Sequence, residues 1–119
     1  MNIEGYRAHC LRKRGVTEEF PFGEEILVFK VMGKLFALTS VQSFASINIK
    51  CDPEAGVELR EKYASVLPGY HMNKKHWITV LMDGSIPDKE VYGWIDQSYE
   101  LVVSRLSKAQ KEQLRKVTG

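Results

Sequence analysis

Apolar positions along the chain recur with two periods, and the switch between them marks the elements. Ile3, Tyr6 and Cys10 share one helical face behind Asn2, a residue type suited to capping a helix N-terminus. This helix is expected to stop at Gly15, with Arg12, Lys13 and Arg14 in its last turn, where cations suit the negative end of the helix dipole. Phe20-Pro21-Phe22-Gly23 cannot continue a helix and reads as a loop with buried aromatics. Period two then takes over: Leu27, Phe29 and Val31 alternate with Val28, Lys30 and Met32 before Gly33 interrupts and Leu35, Phe36, Ala37 and Leu38 resume. Residues 25–39 are therefore expected to form an antiparallel hairpin with Gly33 and Lys34 near its tip. In a third strand, Ile47, Ile49 and Cys51 face one side while Asn48 and Lys50 face the other.

Asp52-Pro53 pairs an N-cap acid with a proline at the first helical position. The helix it starts carries Ala55, Leu59 and Tyr63 on one face and is expected to run to Val66-Leu67, ended by Pro68-Gly69. Trp77–Leu81 is a further strand, closed by Asp83-Gly84. A long helix follows from about Pro87-Asp88, its inner face marked by Val91, Ile95, Ser98, Val102 and Leu106 and flanked by Trp94 and Leu101. Ser107 and Gln110 match a capping box, so residues 107–119 are a polar tail or a short helix. The order α-β-β-β-α-β-α predicts an α+β fold, an antiparallel sheet with helices packed on one face, in a single domain of 119 residues.

Composition alters this picture little. The chain is 44% hydrophobic and 27% charged, with a mean hydropathy of −0.26, which is ordinary globular composition rather than disorder. Its longest aliphatic or aromatic run, Ile26-Leu27-Val28-Phe29, is far short of the ~20 residues a membrane span requires. Cys10 and Cys51 are the only cysteines and no leader-like segment is legible, so a reduced, cytoplasmic protein is expected. Charge is informative through its distribution. The net value is +2, and the isoelectric point near 8.5 stays below the value of about 9 that dedicated nucleic-acid binders often exceed. Four acids and no base lie between Glu18 and Glu25, whereas Tyr70–Trp77 holds Lys74, Lys75, two histidines and no acid. From Arg105 onward five bases face the single acid Glu112.

Familiar chemical signatures are missing: there is no glycine-rich phosphate loop, G-x-S-x-G, H-E-x-x-H or C-x-x-C. His71 and His76 fit no zinc spacing, and Glu54, Glu58 and Glu61 read as a solvated helix face. No metal, cofactor or catalytic residue is assigned. Cys51 reads as a small core residue. Ser98 is odder, because a hydroxyl inside an apolar stripe needs a partner, and the local candidate is a carbonyl one turn earlier.

Residue types converge in one place, Pro68-Gly69-Tyr70-His71-Met72-Asn73-Lys74-Lys75-His76-Trp77. Lysines and imidazoles contact phosphates, Asn73 can bond a base edge, and Tyr70 or Trp77 offers a stacking surface. The same residues also suit a plain loop, with Tyr70 and Trp77 as core anchors and Lys74 and Lys75 solvated. For Trp77 the core is the preferred reading.

This stretch is joined by Thr17-Glu18-Glu19-Phe20-Pro21-Phe22-Gly23, Phe29-Lys30-Val31, Gly33-Lys34-Leu35-Phe36-Ala37-Leu38, Ile47-Asn48-Ile49-Lys50-Cys51-Asp52-Pro53, Leu59-Arg60-Glu61 and Ser98-Tyr99-Glu100-Leu101-Val102. Together they resemble the MmcQ/YjbR family of small bacterial proteins, over nearly the whole chain to about Leu106. The resemblance implies a CyaY-like (frataxin-like) two-layer α/β sandwich and a DNA-binding role through a double wing of β-loops, without catalysis. The iron handling of frataxin-like proteins is not expected to transfer, because the first helix sets Arg7, Arg12, Lys13 and Arg14 against Glu4. Carried onto this chain, one wing is the hairpin with Lys30 and Lys34, and the other is the loop and strand from Tyr70 to Trp77. Lys30, Lys34, Lys50, Lys74 and Lys75 are the expected phosphate contacts; His71, Asn73 and His76 are the expected base or sugar contacts. Two alternatives stand beside DNA binding. One is a small-ligand or protein-interaction module that uses residues 68–77 as an anion site. The other is an enzyme using His71 or His76 as an acid–base.

Overall fold

The computed structural model describes residues 1–69 and 72–117. Helix α1 (Ile3–Leu11) begins at Asn2, whose side chain accepts from the Gly5 N–H, and leads into a short strand β1 (Val16–Glu19). Strands β2 (Ile26–Val31), β3 (Lys34–Ser40) and β4 (Ser46–Lys50) follow, then helix α2 (Pro53–Lys62) capped by the Asp52 carboxylate. Strands β5 (Val66–Pro68) and β6 (Trp77–Leu81) precede the long helix α3 (Asp88–Ser104) and a last helix α4 (Lys108–Lys116). The capping box at α4 forms as expected, with both the Ser107 and Gln110 side chains engaged.

All strand pairings are antiparallel, in the order β1-β2-β3-β4-β6-β5. Helix α3 packs on β2, β3 and β4, α1 on β1 and α3, and α2 on β5 and β6. Strand alternation sends Phe29, Val31, Ile47, Ile49, Ile78 and Val80 into this helical layer, where they meet Tyr6, Val91, Ile95 and Val102. The core therefore lies between the sheet and its helices, and the other sheet face carries Lys30, Leu38, Asn48, Lys50 and Trp77 by the same alternation.

The hairpin closes tightly. Val31 pairs with Lys34, leaving Met32 and Gly33 as the turn, at φ of 50° and 78°. Positive φ at both positions is the type I′ pattern, which matches the twist of the flanking strands and which glycine adopts without steric cost.

Four sequence expectations require correction. Helix α1 ends at Leu11 rather than reaching Gly15: Gly15 takes a left-handed φ of 73° that turns the chain into β1, while the Lys13 ammonium reaches Asp96 of α3 and the Tyr99 hydroxyl donates to the Arg14 carbonyl at 2.6 Å. Helix α2 ends at Lys62, and Val66-Leu67 belongs to β5, paired with β6. The Tyr63, Val66 and Leu67 spacing satisfied a helix as well as a strand, and pairing decided between them. Strand β1 was not anticipated. Finally, Phe20 and Phe22 are not buried: they are 49% and 69% exposed, on the connection between β1 and β2.

Ser98 solves a problem created by a bulge. Across β2 and β3 the register runs from Phe29↔Ala37 to Lys30↔Leu35, so Phe36 is an extra residue. The β3–β4 pairing stops at Ala37↔Ile49. The fully buried Ser98 hydroxyl occupies the gap, accepting from the Lys50 N–H at 2.9 Å and donating to the Phe36 carbonyl at 2.6 Å. Its role is structural, as preferred from the sequence, but its partners belong to the sheet rather than to its own helix.

Candidate functional site

The strand register brings two loops to one end of the sheet. The β2–β3 turn sits between Val31 and Lys34, and Lys50 at the end of β4 pairs with Trp77 at the start of β6. The Cys51 N–H continues that ladder by donating to the His76 carbonyl at 2.9 Å. The 73–76 turn before β6 therefore lies on the same side of the molecule as the hairpin turn. At a strand spacing of about 4.8 Å, β3 and β6 are separated by roughly 10 Å across β4.

Local hydrogen bonds shape the second loop. The Asn73 carbonyl accepts from the N–H groups of His76 and Trp77 at 3.1 and 3.0 Å, and its side-chain oxygen accepts from the Lys75 N–H at 2.9 Å. This turn leaves Lys74 and Lys75 exposed at its tip and buries the Trp77 ring. Part of Asn73 is thus spent on the turn itself. The His76 ring is half-buried, and its Nδ1 is buried with no partner among the described residues. His71 lies outside the described residues.

Between the two loops is a pocket of about 320 Å³ lined by Lys34, Leu35, Lys50, Trp77, Val102, Arg105 and Leu106. Three cations converge there and no carboxylate lines the wall. Among the described residues, none of the three is in an ion pair. Partial burial pushes the Lys50 ammonium below its ordinary pKa, and the neighbouring Arg105 and Lys34 charges push it the same way. Lys30 fares differently. It faces Glu19 across β1 and β2 at 3.3 Å, so its charge is already answered.

Two other hollows are less suited to an anion. A cleft of about 540 Å³ between the segment that follows α1 and helices α3 and α4 has Lys13, Arg14, Lys111 and Arg115 on its rim, but Glu100 shares that rim and Lys13 is bound to Asp96. A groove of about 430 Å³ on the open sheet face, beside Phe22, Ile26, Leu38 and Met72, contains no charged group. Among the described residues there is no cluster of three or more His, Cys, Asp or Glu side chains able to hold a metal ion, and no helix long and apolar enough to cross a membrane.

Arg105 is the residue that the sequence reading did not place in the site. It follows the last turn of α3, its N–H bonded to the Val102 and Val103 carbonyls. In the sequence it is only the first of the C-terminal bases, and nothing local ties it to Lys34 or Lys50.

Comparison with known proteins gives this arrangement a context. The YjbR family model matches residues 11–101, most of the sheet and its helices. The chain belongs to the YjbR family. Relatives within it include YbdF of Escherichia coli O157:H7, 41% identical over 97 residues covering 81% of this chain and 80% of that protein. YjbR of Escherichia coli K12 is 32% identical over 115 residues, covering 96% of this chain and 98% of that protein. Among solved structures, Deinococcus radiodurans protein DR2400, which carries a DUF419 domain, superposes with a TM-score of 0.89 at 39% identity, covering 96% of this chain and 88% of that one. A Pseudomonas syringae protein superposes with a TM-score of 0.72 at 29% identity, covering 85% of this chain and 98% of its own. The YjbR match ends at residue 101, so Arg105 lies just beyond the matched stretch.

Proposed function

We propose that this YjbR chain binds DNA through the end of the sheet that carries the β2–β3 turn and the 73–76 turn, the two acting as wings on either side of Lys50. The observation that carries the reading is the convergence of Lys34, Lys50 and Arg105 without an acidic neighbour in the pocket wall. A monomer gains little stability from gathering like charges, whereas a polyanion repays it by releasing counterions. Lys74 and Lys75, exposed on the adjacent turn, extend the same surface. Lys30 plays a lesser part, because Glu19 neutralises it.

The test is fluorescence anisotropy with labelled single- and double-stranded DNA across a salt series. Binding is expected to weaken steeply with salt, with a log–log slope near −0.9 per phosphate contacted on a duplex. Replacing Lys74 and Lys75 together by alanine should flatten that slope by about two, since each phosphate-contacting lysine contributes about one. Absence of binding at low salt, or binding indifferent to salt, overturns the reading.

A further inference from the structure

We infer that the Lys34–Lys50–Arg105 pocket is a seat for a phosphate monoester dianion, supplied either by the phosphorylated end of a DNA strand or by a small phosphorylated molecule. This assignment deepens the phosphate-binding reading of the same end of the sheet and rests on it.

Charge is the first argument. An internal phosphodiester carries one negative charge, whereas a terminal phosphate carries about −1.5 to −2 near neutral pH. Three cations surround the pocket, and the C-terminal end of α3 beside Arg105 offsets roughly half a unit of that charge. The remaining excess of about two and a half units exceeds what one diester can answer and suits a dianion.

Shape is the second argument. The pocket is recessed, with Leu35, Trp77, Val102 and Leu106 forming apolar walls. An internal phosphate is flanked by a sugar on each side and reaches such a recess only by carrying both in. A terminal phosphate is free on one side.

The third argument is rigidity. Lys34 leaves a two-residue turn, Lys50 is tied through its N–H to Ser98, and Arg105 is fixed by its own N–H to the last carbonyls of α3. Each cation thus departs from backbone already held by hydrogen bonds, so ordering them around an anion costs less. Lys74 and Lys75 extend from an exposed turn and do not line the pocket.

The experiment compares one short single strand bearing a 5′-phosphate with the same strand bearing a 5′-hydroxyl, and uses adenosine 5′-monophosphate and inorganic phosphate as competitors. Wild type is set against Arg105→Ala, Arg105→Lys and the Lys74→Ala/Lys75→Ala pair, each checked for folding by thermal melting. The phosphorylated strand should bind about tenfold tighter, the scale of one added charge facing several cations in a water-like dielectric. The preference should vanish in Arg105→Ala, survive largely in Arg105→Lys, and survive in the Lys74/Lys75 variant even though its overall affinity falls. If neither strand binds while the mononucleotide binds and requires Arg105, the seat stands, its source is a small phosphorylated molecule, and the DNA reading falls. If both strands bind equally and neither competitor displaces them, the seat is refuted and the DNA reading stands.

Discussion

Removing one hydroxyl in the core should measurably loosen the sheet beneath the basic pocket. In Ser98→Ala the Phe36 carbonyl and the Lys50 N–H lose their partner together, because the bulge at Phe36 prevents them from pairing with each other. A buried backbone group left unsatisfied costs ~1–3 kcal/mol. The Phe36 bond is buried and the Lys50 bond partly so, and the variant no longer buries a hydroxyl of its own. The expected net loss is about 2–4 kcal/mol, a large share of the ~5–15 kcal/mol that holds a domain folded. A water cannot substitute, since a water in the liquid takes up about 30 Å³ and the deleted oxygen frees less. Urea denaturation followed by tryptophan fluorescence suits the measurement, because Trp77 and Trp94 are both 8% exposed and report loss of packing. At roughly 4 °C per kcal/mol, the melting temperature should fall by about 8–16 °C. Ser98→Thr keeps the hydroxyl and serves as the control for polarity. A loss under about 0.5 kcal/mol in Ser98→Ala would refute the reasoning, since it would mean that β3 and β4 close the gap without help.

Two further outcomes can be checked on the purified protein. The Asp83 carboxyl is held down to about 2 by the Ser85 hydroxyl, the Ser65 hydroxyl and the Ser85 N–H, from an ordinary value of 3.8. Because the folded value is the lower one, the stabilisation is present above pH 3.8 and is lost as pH falls toward 2. Melting temperatures of wild type and Asp83→Asn should therefore separate at neutral pH and converge in acid; parallel curves at every pH would remove the linkage. In Gly69→Ala, the added Cβ would stand 2.7 Å from Trp77 Cβ and 3.0 Å from the Trp77 carbonyl, whose oxygen accepts from the Gly69 N–H at 3.0 Å. A loss of about 1–3 kcal/mol in chemical denaturation, with weaker phosphate binding beside the displaced Trp77, is expected, and wild-type stability would show that the strands part at no cost.

The local pattern of the chain determined the elements that bury a repeating face or carry their own caps. The stripe Val91, Ile95, Ser98, Val102 and Leu106 is buried throughout, and the Asp52 and Ser107 caps form where their side chains suggested. The hairpin was legible for the same reason, since Gly33 and the alternation on either side act within a few residues. Strands β1 and β5 were not. At four and three residues they show no usable period, and they exist because β2 and β6 offer unpaired edges to which they add. Family membership, too, was readable from the motifs, and the match over residues 11–101 shows it.

The site divides along the same line. Lys30, Lys34 and Lys50 look equivalent in the sequence, each a lysine on or beside an apolar strand. Only strand order separates them: β1 sets Glu19 against Lys30, while β3, β4 and the end of α3 bring Lys34, Lys50 and Arg105 around one pocket. Arg105 stands 55 residues from Lys50 and 71 from Lys34 in the chain, so no local spacing could pair them. Periodicity and capping are short-range and act within a turn or a few strand positions, which is why the helix starts, the hairpin and the striped buried faces could be read along the chain. Which charges meet depends on contacts between distant segments, and those were decided only when the sheet closed on its helices.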